Sequence, residues 1–90
     1  MQEVYGVAAF RSRQQVLRFE AALRREGIPV RVVSTPRDVS MGCGLSVRFR
    51  IEDAPVVRRA LITANPGNLI GLYRAEYDGG KLKISALQKQ

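Results

Sequence analysis

The residues best suited to chemistry lie in one stretch, STPRDVSMGCG, from Ser34 to Gly44. It holds the chain's single cysteine, Cys43, and runs into the alternating segment LSVRFRI, Leu45 to Ile51. Pro36, Gly42 and Gly44 make the backbone bend, and the glycines beside Cys43 leave its sulfur sterically open. Thiolate is the nucleophilic form of cysteine, and a neighbouring guanidinium favours it. Arg37 is the expected stabiliser, with Arg48 as a second source of charge. Backbone N–H groups in the Gly42-Cys43-Gly44 bend can form an anion-binding concavity. Ser34, Thr35 and Ser40 supply hydroxyl donors. Such a set suits nucleophilic sulfur or redox chemistry. The same residues also fit a structural reading, with Cys43 a small buried hydrophobe, Arg37 solvated and the hydroxyls bonded to their own backbone. Gly-Cys-Gly is not a phosphate loop, because the lysine and following helix are missing.

Composition removes several alternatives. One cysteine excludes an internal disulfide, and the absence of histidine removes the usual neutral-pH base and the commonest zinc ligand. No metal and no cofactor is expected. Ninety residues, 46% apolar, suit one domain, residues 1–90, since a chain this short buries roughly 60 to 65 per cent of its unfolded surface. Neither MQEVYGVAAF nor any later segment reads as a signal or membrane span, so a cytoplasmic, reducing location is the default expectation. The net charge of +7 favours anionic partners, although the arginines are scattered rather than blocked.

The elements that must position the loop follow from periodicity. Val4 to Phe10 reads as a buried strand. Ser12 then caps a helix, with Gln15 completing a capping box and Val16, Phe19 and Leu23 forming its apolar stripe. Arg24 and Arg25 suit its last turn, and Gly27 its left-handed end. Ile28 to Val33 is a second strand, placed at an edge by Pro29. Leu45 to Ile51 is a third, with Leu45, Val47, Phe49 and Ile51 on the buried face. Asp53 caps a second helix that packs Val56, Val57, Ala60, Leu61 and Ala64 inward and ends at Asn65-Pro66-Gly67. Leu69 to Tyr77 and Lys81 to Leu87 form a hairpin around Asp78-Gly79-Gly80, with Leu82, Ile84 and Ala86 on one face. Gln88 to Gln90 should fray.

This β-α-β-β-α-β order with a C-terminal hairpin strand predicts an α+β, ferredoxin-like two-layer sandwich. Arg31, Val33, Ser46, Arg48 and Arg50 should line its helix-free face, and Cys43 is expected at the end of the sheet where both helices finish. In that position the helix dipoles would not help the thiolate. Arg31, Arg48 and Arg50 form the expected interaction face, and the sheet face or an edge strand offers a route to a homodimer.

The run GIPVRVVSTPRDVSMGCGLSVRF, Gly27 to Phe49, resembles the signature of a small bacterial family of selenium/sulfur carrier-like proteins. In that family an amphipathic helix leads through a G-I-P strand into a T/V-P-R-x-x-S-x-x-C-G loop and then an apolar strand. Gly27, Ile28, Pro29, Pro36, Arg37, Ser40, Cys43 and Gly44 match that pattern, and the resemblance spans roughly residues 3–74. The Cys-Pro-x-Pro motif of other sulfur-transfer proteins is absent. The resemblance implies a non-enzymatic carrier in which Cys43 accepts sulfur or selenium, with Arg37, Ser40, Gly42 and Gly44 stabilising the anion and separate donor and acceptor proteins as partners. Two other classes compete with it. One is a basic RNA-binding or regulatory module using the sheet face, with Tyr5, Tyr73 and Tyr77 stacking bases. The other is a redox switch that dimerises through a Cys43 disulfide.

Overall fold

Small residues at the centre of β1 (Glu3–Phe10) let strands pair on both its edges and helices pack closely on one of its faces. In the computed structural model, which describes residues 3–36, 44–64 and 69–89, Val7, Ala8 and Ala9 are fully buried. β1 is followed by α1 (Arg13–Arg25), β2 (Val30–Ser34), β3 (Leu45–Arg50), a 3-10 turn (Ile51–Asp53), α2 (Ala54–Ala64), β4 (Leu69–Asp78) and β5 (Lys81–Lys89). The five strands make one sheet in the order β2-β3-β1-β4-β5, and every neighbouring pair is antiparallel. The class is therefore α+β. A ferredoxin-like sheet has four strands, whereas here β5 adds a fifth outside β4.

Both helices cover the same sheet face. Val16, Phe19 and Leu23 from α1 and Val57 and Leu61 from α2 join Ala8, Phe10, Val47, Phe49, Leu69 and Leu72 in one core. Phe10 and Phe19 meet at 5.5 Å with planes tilted by 54°, an arrangement favourable to the ring quadrupoles. Helix α1 forms as its sequence requires: the Ser12 hydroxyl accepts from the Gln15 N–H, Arg24 and Arg25 occupy the last turn, and Gly27 takes φ 78°. The Ile28 N–H is spent on the Leu23 carbonyl, so β2 begins at Val30 rather than at Ile28. β2 is an edge strand, as Pro29 implies. Gly79 and Gly80 both take positive φ, 60° and 83°, which closes the β4–β5 hairpin tightly.

Several details depart from expectation. Asp53 lies in the 3-10 turn, and both its carboxylate oxygens accept from Arg50, Oδ2 at 2.9 Å and Oδ1 at 3.4 Å. Asp53 immediately precedes α2, which begins at Ala54, so this bidentate pair sits at the start of the helix. Ala64 is exposed, because it lies in the last turn of α2 beyond the sheet-facing stripe of Val57 and Leu61. Ala86 is exposed too. The β4–β5 register shifts between Leu72 and Tyr73, and Leu87 packs against the helix-side core. Gln88 and Lys89, expected to fray, instead continue β5, paired with Leu72 and Gly71. The helix end expected at Asn65-Pro66-Gly67 and the fraying of Gln90 lie outside the described residues.

Gly6 in β1 makes room for the core. A methyl group there would lie 2.1 Å from the ring of Phe49, which is only 2% exposed on the neighbouring strand. Gly6→Ala should therefore destabilise the fold by about 1–3 kcal/mol through overpacking. Urea unfolding checks this, and Gly6→Ala with an unchanged midpoint would contradict the packing.

Candidate functional site

The β2–β3 hairpin carries the cysteine loop, and its two feet are fixed by hydrogen bonds. The Thr35 N–H donates to the Gly44 carbonyl at 2.9 Å, continuing the pairing one step beyond Ser34 opposite Leu45. The Thr35 hydroxyl meets the Ser46 hydroxyl at 2.7 Å. Ser46 is fully buried, so this contact supplies a partner that water cannot. Gly44 fits closely here: a methyl group on it would sit 3.1 Å from Thr35 Oγ1 and 3.7 Å from the Phe10 carbonyl oxygen. Sequence reasoning offered Thr35 only as one of several hydroxyl donors. Its role shows once β2 and β3 are in register.

Cys43, Arg37, Ser40 and Gly42 lie outside the described residues; Gly44 is the one expected loop residue inside them. The residues around the loop's feet nevertheless fix its electrostatic setting. Gly44 abuts Phe10, the last residue of β1, and Ser12 caps α1 two residues later. Thus α1 starts, rather than finishes, at this end of the sheet, and only α2 ends there. The expectation that both helices finish at the loop is corrected by the strand directions. β1 runs parallel to β2 because each pairs antiparallel with β3. The positive end of the α1 dipole faces this end of the sheet, and no acidic residue stands in its first turn. Arg11 and Arg13, both exposed, add to that potential.

Arg48 stands about 10 Å along β3 from Leu45, and Arg50 about 17 Å, at the usual strand rise. Arg48 pairs with Glu3, and its Cζ sits 3.8 Å from the centroid of the Tyr5 ring. The hydrogen bond to Asp53, then that carboxylate's charge, raises Arg50 above its ordinary pKa. Arg31 lies directly opposite Arg48 on β2. The three arginines are thus grouped on the helix-free face, remote from the loop's feet.

That face is less open than expected. Val7, Ala9, Tyr73 and Ala75 are buried on it beneath Tyr5, Ile70, Leu82 and Ile84, and Ser46 is sealed within it. Nor do the tyrosines form a stacking platform: Tyr73 is 8% exposed and the Tyr5 ring is covered by Arg48, leaving Tyr77 exposed. Among the described residues no group of His, Cys, Asp or Glu suits a metal ion, and no helix is long and apolar enough to cross a membrane.

The fold and loop define the chain as an α+β protein with a five-stranded antiparallel sheet and a cysteine on the hairpin joining β2 and β3. It belongs to the family described as "Putative Se/S carrier protein-like", whose model matches residues 5–73. The match runs from β1 through the cysteine loop into β4 and stops before β5. No curated protein and no solved structure matches the chain.

Thr35→Val should leave the buried Ser46 hydroxyl without its partner and cost about 1–3 kcal/mol, whereas Thr35→Ser should retain most of the stability. Denaturant midpoints of the two variants test this, and equal midpoints would contradict a structural role for the hydroxyl pair.

Proposed function

We propose that the protein is a carrier of sulfur or selenium in which the Cys43 thiolate is the acceptor. The observation that carries this reading is the family match, which spans the whole of the Ser34–Gly44 loop. The loop's surroundings support it. The N-terminal end of α1, with Arg11 and Arg13 beside it, favours a negative charge at this end of the sheet. Arg37, Ser40 and the Gly42 and Gly44 amides are assigned to stabilising the anion. The Thr35 N–H bond to the Gly44 carbonyl holds the two ends of the segment that carries Cys43 together.

In the transfer step the Cys43 thiolate attacks the outer sulfur of a persulfide on a donor protein. A bond forms between Cys43 Sγ and that sulfur, the donor's S–S bond breaks, and the donor leaves as a thiolate. The transferred sulfur keeps its oxidation level, so no external oxidant or reductant is needed. Selenium follows the same path as a selenosulfide. An acceptor then takes the outer atom by the reverse attack. Donor and acceptor proteins dock at the loop end of the sheet, in a cytoplasmic setting where thiols stay reduced.

We further read the architecture as one domain and as a ferredoxin-like sandwich widened by β5. Two features support this: both helices share one core on one sheet face, and β1 lies between β3 and β4.

Incubation with a cysteine desulfurase and cysteine, followed by intact mass spectrometry, should show wild type gaining one sulfur that a reductant removes. Cys43→Ser should gain none. Equal labelling of both would remove the proposal, and a stable disulfide dimer in place of the adduct would favour the redox-switch reading.

A further inference from the structure

The corner of the sheet where β2, β3 and β1 meet groups three arginines with Glu3, Glu52 and Asp53, a cluster that sulfur transfer does not use. Arg31 is directly opposite Arg48 in the β2–β3 register, and Arg50 follows on the same face of β3. Like charges placed directly opposite on neighbouring strands oppose the pairing. These arginines line a cleft of about 280 Å³ together with Tyr5, Pro29 and Glu52. Two of the three have partners: Arg48 pairs with Glu3 over the Tyr5 ring, and Arg50 is held by Asp53. Arg31 is exposed and makes no hydrogen bond or ion pair with another described residue. A sequence that accepts local repulsion around a cleft departs from consistency where binding can repay it.

We propose that this cleft binds a phosphate group. A phosphate offers several acceptor oxygens to planar guanidinium forks, and its charge relieves the Arg31–Arg48 repulsion. The cleft is at the small end of the range for ligand sites, which fits one phosphate group rather than an extended surface. Asp53 holds Arg50 in place, and the Tyr5 ring supports the Arg48 guanidinium. Glu3 is well exposed, so its pairing with Arg48 is weak and readily exchanged for a ligand oxygen. Glu52 on the lining limits the positive patch to its arginine side. Base stacking plays no part, because Arg48 covers the Tyr5 ring.

The phosphate has two sources, a small phosphorylated ligand or a phosphodiester backbone, and one titration separates them. Backbone-amide NMR of the full chain is followed against inorganic pyrophosphate, against oligouridylate and against a glutamate-rich peptide. Saturable shifts centred on Tyr5, Arg31, Arg48 and Arg50 are expected with pyrophosphate. Arg31→Gln should weaken binding about tenfold or more, through loss of a charge-assisted contact, whereas Arg18→Gln on the far side of the molecule should leave it unchanged. Without ligand, Arg31→Gln should melt no lower than wild type, because it removes a repulsion rather than a support. Much tighter binding of oligouridylate, with shifts spreading along the sheet, assigns the phosphate to a nucleic-acid backbone; no tighter binding assigns it to a small ligand. Absence of saturation with either phosphate probe, equal weakening by Arg18→Gln, or binding of the glutamate-rich peptide alone would overturn the proposal.

Discussion

The closure of the β2–β3 hairpin at Thr35 and Gly44 is the constraint on which the site depends. One backbone hydrogen bond and one hydroxyl pair set where the chain leaves β2 and where it re-enters β3. Because β3 lies between β2 and β1, that closure also brings Gly44 against the end of β1, and so beside the start of α1. Loss of the Ser46 contact would place an unsatisfied hydroxyl inside the sheet, so the fold and the loop's position are coupled energetically. Gly44 belongs to both: it leaves space for Thr35 and is adjacent in sequence to Cys43.

Charge on the molecule is divided between two places. At the loop end, the start of α1, Arg11 and Arg13 together favour an anion without any acidic residue in the helix's first turn. At the opposite end of β3, Arg31, Arg48 and Arg50 line one cleft. The distance along the strand keeps these fields apart, since charges separated by more than about 8–10 Å in physiological salt are largely screened. The overall charge of +7 therefore has local structure that an even scatter along the sequence conceals.

The fold was legible where local chemistry and tertiary packing agreed. Ser12, the Val16-Phe19-Leu23 stripe and Gly27 specify α1 almost unaided, and Pro29 marks β2 as an edge. Gly79-Gly80 specifies the last hairpin in the same way. What stayed hidden depended on pairing between distant segments. Arg50 pairs with Asp53 at the start of α2, and the shift at Leu72/Tyr73 turns Leu87 rather than Ala86 onto packed surface. Placing α1 at the loop required following strand directions through the whole sheet. Of the loop motif read from sequence, Cys43, Arg37, Ser40 and Gly42 lie outside the described residues, and the Thr35–Ser46 latch joins residues whose types alone do not announce a contact.

The central claim is that this end of the sheet holds Cys43 as a thiolate. Its most direct test is the rate of Cys43 alkylation by iodoacetamide as a function of pH. The account predicts a midpoint well below the unperturbed thiol value of about 8.5. A midpoint at or above that value would contradict it.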